Sequence, residues 1–307
     1  MDYLCPRIFS LILDAMKVAL FGKTISENDI PYLQEFIDGL ESLNGIVYLY
    51  ESFFNAIREK IRFDRQPILF MTQQEIRGQV EYLFSIGGDG TLLDTITLVG
   101  DSRIPVIGIN MGKLGFLSGI SKDEILPALD EIIGKKYSID ERTLLRLETT
   151  EPLFGNFNYA LNDFTIYKRS PNSMLAIKTF VNDEFLNTYW ADGLIVATPT
   201  GSTAYSLSCT GPILSPDSEN FVITPIASHN LTVRPIVIPD TCIIRIMVES
   251  RDIECYIGLD SRIRKLDSPM ELVIKKEHFK IHLLRMSGRN FFETIRAKLK
   301  WGLDIRN

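Results

Sequence analysis

Three glycines surround one acid in "FSIGGDGTLLDT", residues 84–95, at the end of an apolar run. The segment lacks the G-x-x-x-x-G-K-[ST] of a P-loop, and Leu93 stands where a dinucleotide fingerprint has its third glycine. Its physics still suits a polyphosphate. A strand ending at Ile86 would turn tightly through Gly87 and Gly88 into a helix over Thr91 to Leu98, whose N-terminal N–H groups attract anions. Asp89 is electrostatically awkward beside phosphate unless it takes a proton from an attacking hydroxyl or holds a Mg²⁺ ion that bridges phosphates. Spacing alone equally allows Asp89 or Thr91 to be no more than a helix cap. A helix N-terminus also favours the charged form of a carboxylate, which weakens it as a base.

Downstream, "PVIGINMGKLGFLSG" (105–119) repeats the strand-then-glycine layout. That would place a second glycine-rich loop beside the first, at the C-terminal edge of a parallel sheet where such folds bind ligands. Phe116 in this loop suits stacking on a base, although burial alone favours a core role. A third stretch, "WADGLIVATPTGSTAYSLSCTGPIL" (190–214), opens a short strand into the hydroxyls of Thr198, Thr200, Ser202, Thr203, Tyr205, Ser206 and Ser208. Each buried hydroxyl needs a partner, so the run reads as an exposed loop or as a ligand cradle. In a cradle, small residues permit close approach, hydroxyls and amides bind phosphate and ribose, and Tyr205 offers a ring. Asp192 suits a ribose or an exocyclic amine. Asn162 and Asp163 in "LND" fit either a strand bulge or a pair that binds two hydroxyls of one sugar.

Other chemistry fails on spacing. Of the three histidines, His278 and His282 are four apart but lack the glutamate of H-E-x-x-H, in a stretch that looks like a strand, so surface histidines are expected. No G-x-S-x-G elbow or cysteine–histidine signature stands out, which argues against covalent hydrolysis. The four cysteines are scattered without C-x-x-C or metal-ligand spacing, as expected of reduced thiols in the cytoplasm, and no protein metal site is expected.

The elements that must position these stretches fall into two textures. From Met16 to about Tyr137, short apolar runs such as "KVALF" and "EYLFSI" alternate with helical patterns such as "SENDIPYLQEFIDGLESL" and "SKDEILPALDEII", whose serines and acids mark helix starts. This implies βαβ units and a parallel sheet. From about residue 138 to 284 the runs are strand-like, with a hairpin turn expected at "VNDEF" (181–185). The expected fold is therefore an N-terminal Rossmann-like α/β domain (16–137) followed by a β-rich, sandwich-like domain. A C-terminal amphipathic helix, carrying Phe291, Phe292, Ile295, Leu299 and Trp301 near one face, returns over about 285–307 to the first domain. The 307 residues, 45% hydrophobic, suffice for two cores. A net charge of −6 argues against nucleic acid or an anionic membrane as the main partner. "CPRIFSLILDAMKVALF" (5–21) is interrupted by Asp14 and Lys17, too early for a membrane span, so residues 1–15 are expected to be an N-terminal extension ahead of the fold.

Taken together, these stretches resemble the NAD kinases, which transfer a phosphoryl group from ATP to the 2′-hydroxyl of the adenosine ribose of NAD. "GGDGT" is shared with diacylglycerol and sphingosine kinases, but "INMGKLGFL", "LNDFTI", "ADGLIVATPTGSTAYSLS", "GPIL", "RPIVIP" and "IRAKLKWG" follow it in the family's order. The resemblance implies Asp89 as proton acceptor and Gly90 lining the phosphate site. It further implies Phe116 beside the adenine and Asn162 with Asp163 on the hydroxyls of the other ribose. Asp192 and Thr200, together with Thr203, Ala204, Tyr205, Ser206, Leu207 and Ser208, then make up the rest of the dinucleotide site. It also implies Mg²⁺ or another divalent cation with ATP, NAD as substrate and a homo-oligomer, often a tetramer. The chain departs from the family pattern at Asp163 for glutamate, Lys113 for histidine, Trp190 for a cation, Thr210 for glycine and Ser261 for glycine. Two rivals stand beside this reading. A lipid kinase would need a membrane-docking segment that is not apparent, and a non-catalytic dinucleotide sensor would not need Asp89 among intact glycines.

Overall fold

The computed structural model describes residues 15–112, 115–117, 119–169, 174–249, 254–266, 270–288 and 290–301. The N-terminal stretch 1–14 and Lys113 lie outside the described residues. Strand and helix alternate first: β1 (Lys17–Gly22), α1 (Ile30–Ser42), β2 (Ile46–Tyr50), α2 (Glu51–Ile57), β3 (Ile68–Phe70) and α3 (Gln73–Ile76). β4 (Tyr82–Ile86), α4 (Asp89–Val99), β5 (Val106–Asn110), β6 (Ile120–Ser121) and α5 (Ile125–Ile133) follow. β1 pairs in parallel with β2 and β4, and β4 pairs in parallel with β5.

The unbroken apolar runs of these strands have a simple cause, since successive side chains enter opposite layers and both layers are covered by helices. Val18 and Leu20 of β1 pack with Leu33, Phe36 and Leu40 of α1, whereas Ala19 and Phe21 pack with Leu92, Ile96 and Val99 of α4. Ahead of α5, Ser121 and Glu124 form the expected capping box. Ser26 behaves differently, because its hydroxyl donates to the Asp29 carboxylate at 2.6 Å instead of capping backbone.

The second texture is mostly strand. β7 (Tyr137–Glu148), β8 (Tyr159–Ala160), β9 (Asp163–Lys168), β10 (Leu175–Val181), β11 (Glu184–Ala191) and β12 (Gly193–Ala197) precede the one-turn α6 (Tyr205–Ser208). β13 (Asn220–Ile226), β14 (Ile236–Pro239), β15 (Ile244–Glu249), β16 (Cys255–Leu259), β17 (Arg262–Leu266) and β18 (Glu271–Met286) lead to α7 (Phe291–Leu299). The turn between β10 and β11 is the expected hairpin, with Asn182 and Asp183 both left-handed at φ 50° and 68°.

Two sheets face each other here. β14-β13-β12-β9-β16-β17 form one, and its Phe164, Leu194, Phe221 and Ile257 pack on Leu145, Ile177, Ile246 and Leu272 of the other. That second sheet does not stop at the sandwich. It runs β11-β10-β15-β18-β5-β4-β1-β2-β3, with β18 antiparallel to β15 at its start and parallel to β5 near its end, where Leu283 lies opposite Val106. The long strand β18 therefore pairs with sandwich strands at its start and with the beginning of β5 near its end.

Helix α7 corrects one expectation. Ile295 is its buried residue, whereas Phe292 and Trp301 are 63% and 57% exposed. Phe291 and Ile295 share one face at i,i+4 spacing, which turns Phe292 about 100° away from it. Trp301 lies beyond Lys300, whose φ of 56° ends the helix and redirects the chain. No helix among the described residues is long and apolar enough to cross a membrane.

Candidate active site

β4 ends at Ile86 and the chain turns through Gly87, whose φ of 151° and position over Thr91 exclude a side chain: an added Cβ would lie 2.4 Å from Thr91 Oγ1. Gly88 is the N-cap residue of α4 and Asp89 its first residue. The N-cap residue, a glycine, has no side chain with which to cap the helix. The Asp89 carboxylate reaches across to the loop after β5, where it accepts hydrogen bonds from Phe116 N at 2.7 Å and Leu117 N at 3.1 Å. That contact explains a glycine, because a Cβ on Gly115 would come within 1.8 Å of Asp89 Oδ1. Among the described residues no heavy atom lies within 4 Å of where a Gly90 Cβ would be, which leaves open ground above the helix N-terminus there. Phe116 is half-buried, with Lys298 of α7 5.7 Å from its ring centroid. The returning helix thus meets the Asp89 loop directly.

The second locus is the turn between β8 and β9. Asp260, fully buried at the end of β16, accepts from three successive backbone N–H groups, Leu161 at 2.9 Å, Asn162 at 2.7 Å and Asp163 at 3.3 Å. Arg262 grips the same segment from its other side by donating to the carbonyls of Phe157 and Tyr159. Asn162 Oδ1 is buried without a hydrogen-bond partner among the described residues, an acceptor suited to a ligand donor. Burial, with the neighbouring Asp260 adding to it, pushes Asp163 up to about 7. Burial also raises Asp260, against the pull of its three amides and Arg262.

The hydroxyl-rich stretch packs onto this turn. Thr198 N donates to Asn162 O at 2.9 Å and its hydroxyl donates to Leu161 O, while Gly201 sits so close that a Cβ would lie 1.9 Å from Asn162 O. Only part of the stretch faces outward. Thr198, Thr200, Ser202 and Ser206 are buried, with partners inside the fold: Ser202 with Pro199 O and Leu214 N, Ser206 with Thr224, and Thr200 with Arg142. The run therefore does build an interior, because its hydroxyls satisfy the backbone turns around it. Thr203, whose hydroxyl donates to Thr200 O, and Ala204 and Leu207 are half-buried, while Tyr205 and Ser208 are exposed. Burial, then the charges of Cys209, Asp163 and Asp192, raise the Tyr205 phenol, which places the tyrosine within electrostatic reach of both acids. Thr210 has φ 67°, the left-handed conformation that accounts for the glycine common at this position in the family pattern.

Three side chains at the site carry no sequence signal that would single them out. Asp260 reads as an ordinary turn acid. Lys168 pairs with Asp192 at 2.6 Å, supplying a cation there although Trp190 is an exposed aromatic. Arg142, on β7, donates to Thr200 Oγ1 at 3.2 Å and pairs with Asp140 at 2.7 Å, and it lines a cavity together with Gly115, Phe116 and Leu117. Arg142 thereby joins the hydroxyl-rich stretch to the loop that holds Asp89. His278 is exposed and His282 half-buried, neither of them near this cluster in the contacts described.

Residues 50–137 match the ATP-NAD kinase N-terminal domain and residues 161–285 the ATP-NAD kinase C-terminal domain. An NAD kinase of Cytophaga hutchinsonii is 44% identical over 292 residues, covering 95% of this chain and all of that relative. One of Flavobacterium johnsoniae is 42% identical with the same coverage. Among solved structures, yeast NADH kinase complexed with NADH superposes with a TM-score of 0.83 at 27% identity, over 95% of this chain and 89% of that one. An NAD kinase from Archaeoglobus fulgidus in complex with ATP shares the fold, with a TM-score of 0.69 at 23% identity over 93% of this chain and 99% of that one.

Proposed function

This chain belongs to the NAD kinase family of phosphotransferases, and from that premise we propose that it transfers a phosphoryl group from ATP to the 2′-hydroxyl of the adenosine ribose of NAD, with Asp89 accepting the proton. The observation that carries this reading is the use of Asp89: at the first residue of α4, its carboxylate is held by two amides of the neighbouring glycine loop. The amides set its direction. The open ground over Gly90 suits phosphate oxygens, which the helix N-terminus attracts.

A carboxylate is a weak base for an alcohol, yet phosphoryl transfer asks little of it. The transition state is loose, so the hydroxyl loses its proton late, and most of the acceleration comes from in-line placement and charge neutralisation. Asn162 and Asp163 hold the hydroxyls of the other ribose, Phe116 packs by the adenine, and Asp192 with Thr200, Thr203, Ala204, Tyr205, Ser206, Leu207 and Ser208 completes the dinucleotide side, several of them by backbone. Among the described residues no three His, Cys, Asp or Glu side chains converge on a metal position. Mg²⁺ enters the reading with ATP, as part of the MgATP substrate. The protein works in the cytoplasm, as a homo-oligomer.

An assay that scores NADP formation from NAD, ATP and Mg²⁺, run beside one with diacylglycerol as acceptor, tests the reading. Phosphorylated NAD alone supports it. A phosphorylated lipid favours the lipid-kinase rival, and binding of NAD without turnover favours a sensor.

Two further results are expected at this site. In Gly115→Ala the new methyl displaces the Asp89 carboxylate from its loop, so kcat should fall about 10²-fold. The thermal midpoint should move little, since the obstacle is the end of a side chain and not backbone. Steady-state kinetics beside a thermal melt check this. The second concerns pH. Asp163, raised to about 7 by burial and by Asp260, with Tyr205 and Cys209 also facing it, accepts from a ribose hydroxyl more strongly when ionised. Dinucleotide binding then expels a proton below that value. The KM for NAD should drop as pH rises from about 6 to about 8, and Asp163→Asn should flatten the profile. A profile that slopes equally in Asp163→Asn assigns the titration to another group.

A further inference from the structure

The turn between β16 and β17 touches both halves of the site. On one side, Asp260 and Arg262 hold the 157–163 segment with complementary chemistry, an anion on three amides and a cation on two carbonyls. On the other side, the intervening Ser261 donates from Oγ to Asp94 Oδ1 at 3.1 Å. Asp94 lies on α4 five residues after Asp89, about 7.5 Å along the helix axis. Its other oxygen is 2.5 Å from Lys23 Nζ, just beyond the end of β1. A single turn thus contacts the segment bearing Asn162 and Asp163, the helix bearing Asp89 and, through Asp94, the central strand.

We propose that the Asp260–Ser261 turn is a positioning element for phosphoryl transfer: Asp260 fixes Asn162 and Asp163 through their backbone, Ser261 fixes α4 through Asp94, and the dinucleotide, gripped at its other ribose, is thereby held at one spacing from Asp89. This rests on the reading of Asp89 as proton acceptor. Two features show that the contact is built for geometry more than for stability. The Asp260 and Arg262 grips are multiple and largely buried, so the turn cannot drift relative to residues 157–163. The Ser261–Asp94 bond and the Asp94–Lys23 pair are partly exposed, where water and salt compete and the net contribution to folding is small. Apolar packing of Leu92, Ile96 and Val99 on Tyr159 and Leu161 brings α4 and this segment together, and the directional Ser261–Asp94 bond sets their register. In-line transfer is sensitive to such register.

Ser261→Ala, Asp94→Ala and the double variant, with Asp89→Asn in parallel, test this through NADP formation, the KM for NAD and a thermal melt. Each single variant is expected to lower kcat about tenfold with the thermal midpoint nearly unchanged. The KM for NAD should stay within about twofold, because the dinucleotide grip is intact. The double variant should be no worse than either single, as expected for two ends of one contact. Ser261→Thr, which keeps the hydroxyl, should restore most of the rate. The proposal is overturned by normal kcat in Ser261→Ala, by full additivity in the double variant, or by a rate loss that tracks a lowered thermal midpoint. If Asp89→Asn keeps its turnover, the reading of Asp89 itself fails; if it loses turnover while Ser261→Ala does not, only the positioning role is lost.

Discussion

Asp89→Asn is expected to lower kcat by about 10²–10⁴-fold, the range for removal of a general base, while NAD still binds. The side chain keeps its shape but changes its chemistry in two ways. It no longer accepts a proton, and one of its two terminal atoms becomes a donor that faces a donor, so either Phe116 N or Leu117 N loses its partner. The second effect also loosens the glycine loop. Gly115→Ala separates the two, since it disturbs the loop contact but leaves a carboxylate in the site. A deeper loss in Asp89→Asn than in Gly115→Ala identifies the proton as the larger contribution. Rates of NADP formation together with calorimetric NAD binding decide it, and turnover within about tenfold of the parent would sink the assignment of Asp89 as base.

Gly201→Ala is expected to be the most damaging single methyl in the molecule's dinucleotide half. The added Cβ would meet Asn162 O at 1.9 Å, Asn162 C at 2.4 Å and Asn162 Cα at 2.7 Å. All three are backbone atoms, and that backbone is held by Asp260 and by Thr198. The strain has no flexible side chain to absorb it. Either the 198–201 turn lifts away, breaking the bonds from Thr198 to Leu161 and Asn162, or the 161–163 turn shifts against Asp260. Overpacking of this kind costs about 3 kcal/mol. NAD affinity should fall with it, because the same shift misplaces Asn162 and Asp163. Denaturant unfolding beside NAD titration checks both, and a variant of normal stability and affinity would mean that the two turns are not in fixed contact.

The α/β half was legible because its signals are local. Apolar runs bounded by glycine and the serine signal ahead of α5 act over a few residues and have counterparts in the fold, as does the Asn182–Asp183 turn of the second half, whereas Ser26 bonds Asp29 instead of backbone. The C-terminal helix was legible in its existence but neither in its length, which stops at Leu299 before a left-handed Lys300, nor in its inner face. Amphipathic spacing placed Phe292 and Trp301 with the buried residues, whereas the narrow line of contact along α7 buries Ile295 and leaves both aromatics in solvent. The hydroxyl-rich stretch misled differently. Counting hydroxyls cannot show that Ser202, Ser206 and Thr198 have partners across turns and neighbouring strands, since Leu214, Thr224 and Leu161 are distant or unremarkable in sequence.

The sequence by itself determined the order of the elements, the glycine loops at the ends of β4 and β5, and the ordered motifs that mark the NAD kinase family. These depend on spacing within short windows, which chain geometry converts directly into turns, strands and helix starts. Only the tertiary structure decided what Asp89 touches, because its amide partners lie 27 and 28 residues away on a separate loop. It likewise decided the place of Asp260, an acid about a hundred residues from the turn whose backbone it holds. Such pairings are set by which strands lie side by side, as where β16 pairs with β9 and β18 pairs with both β15 and β5.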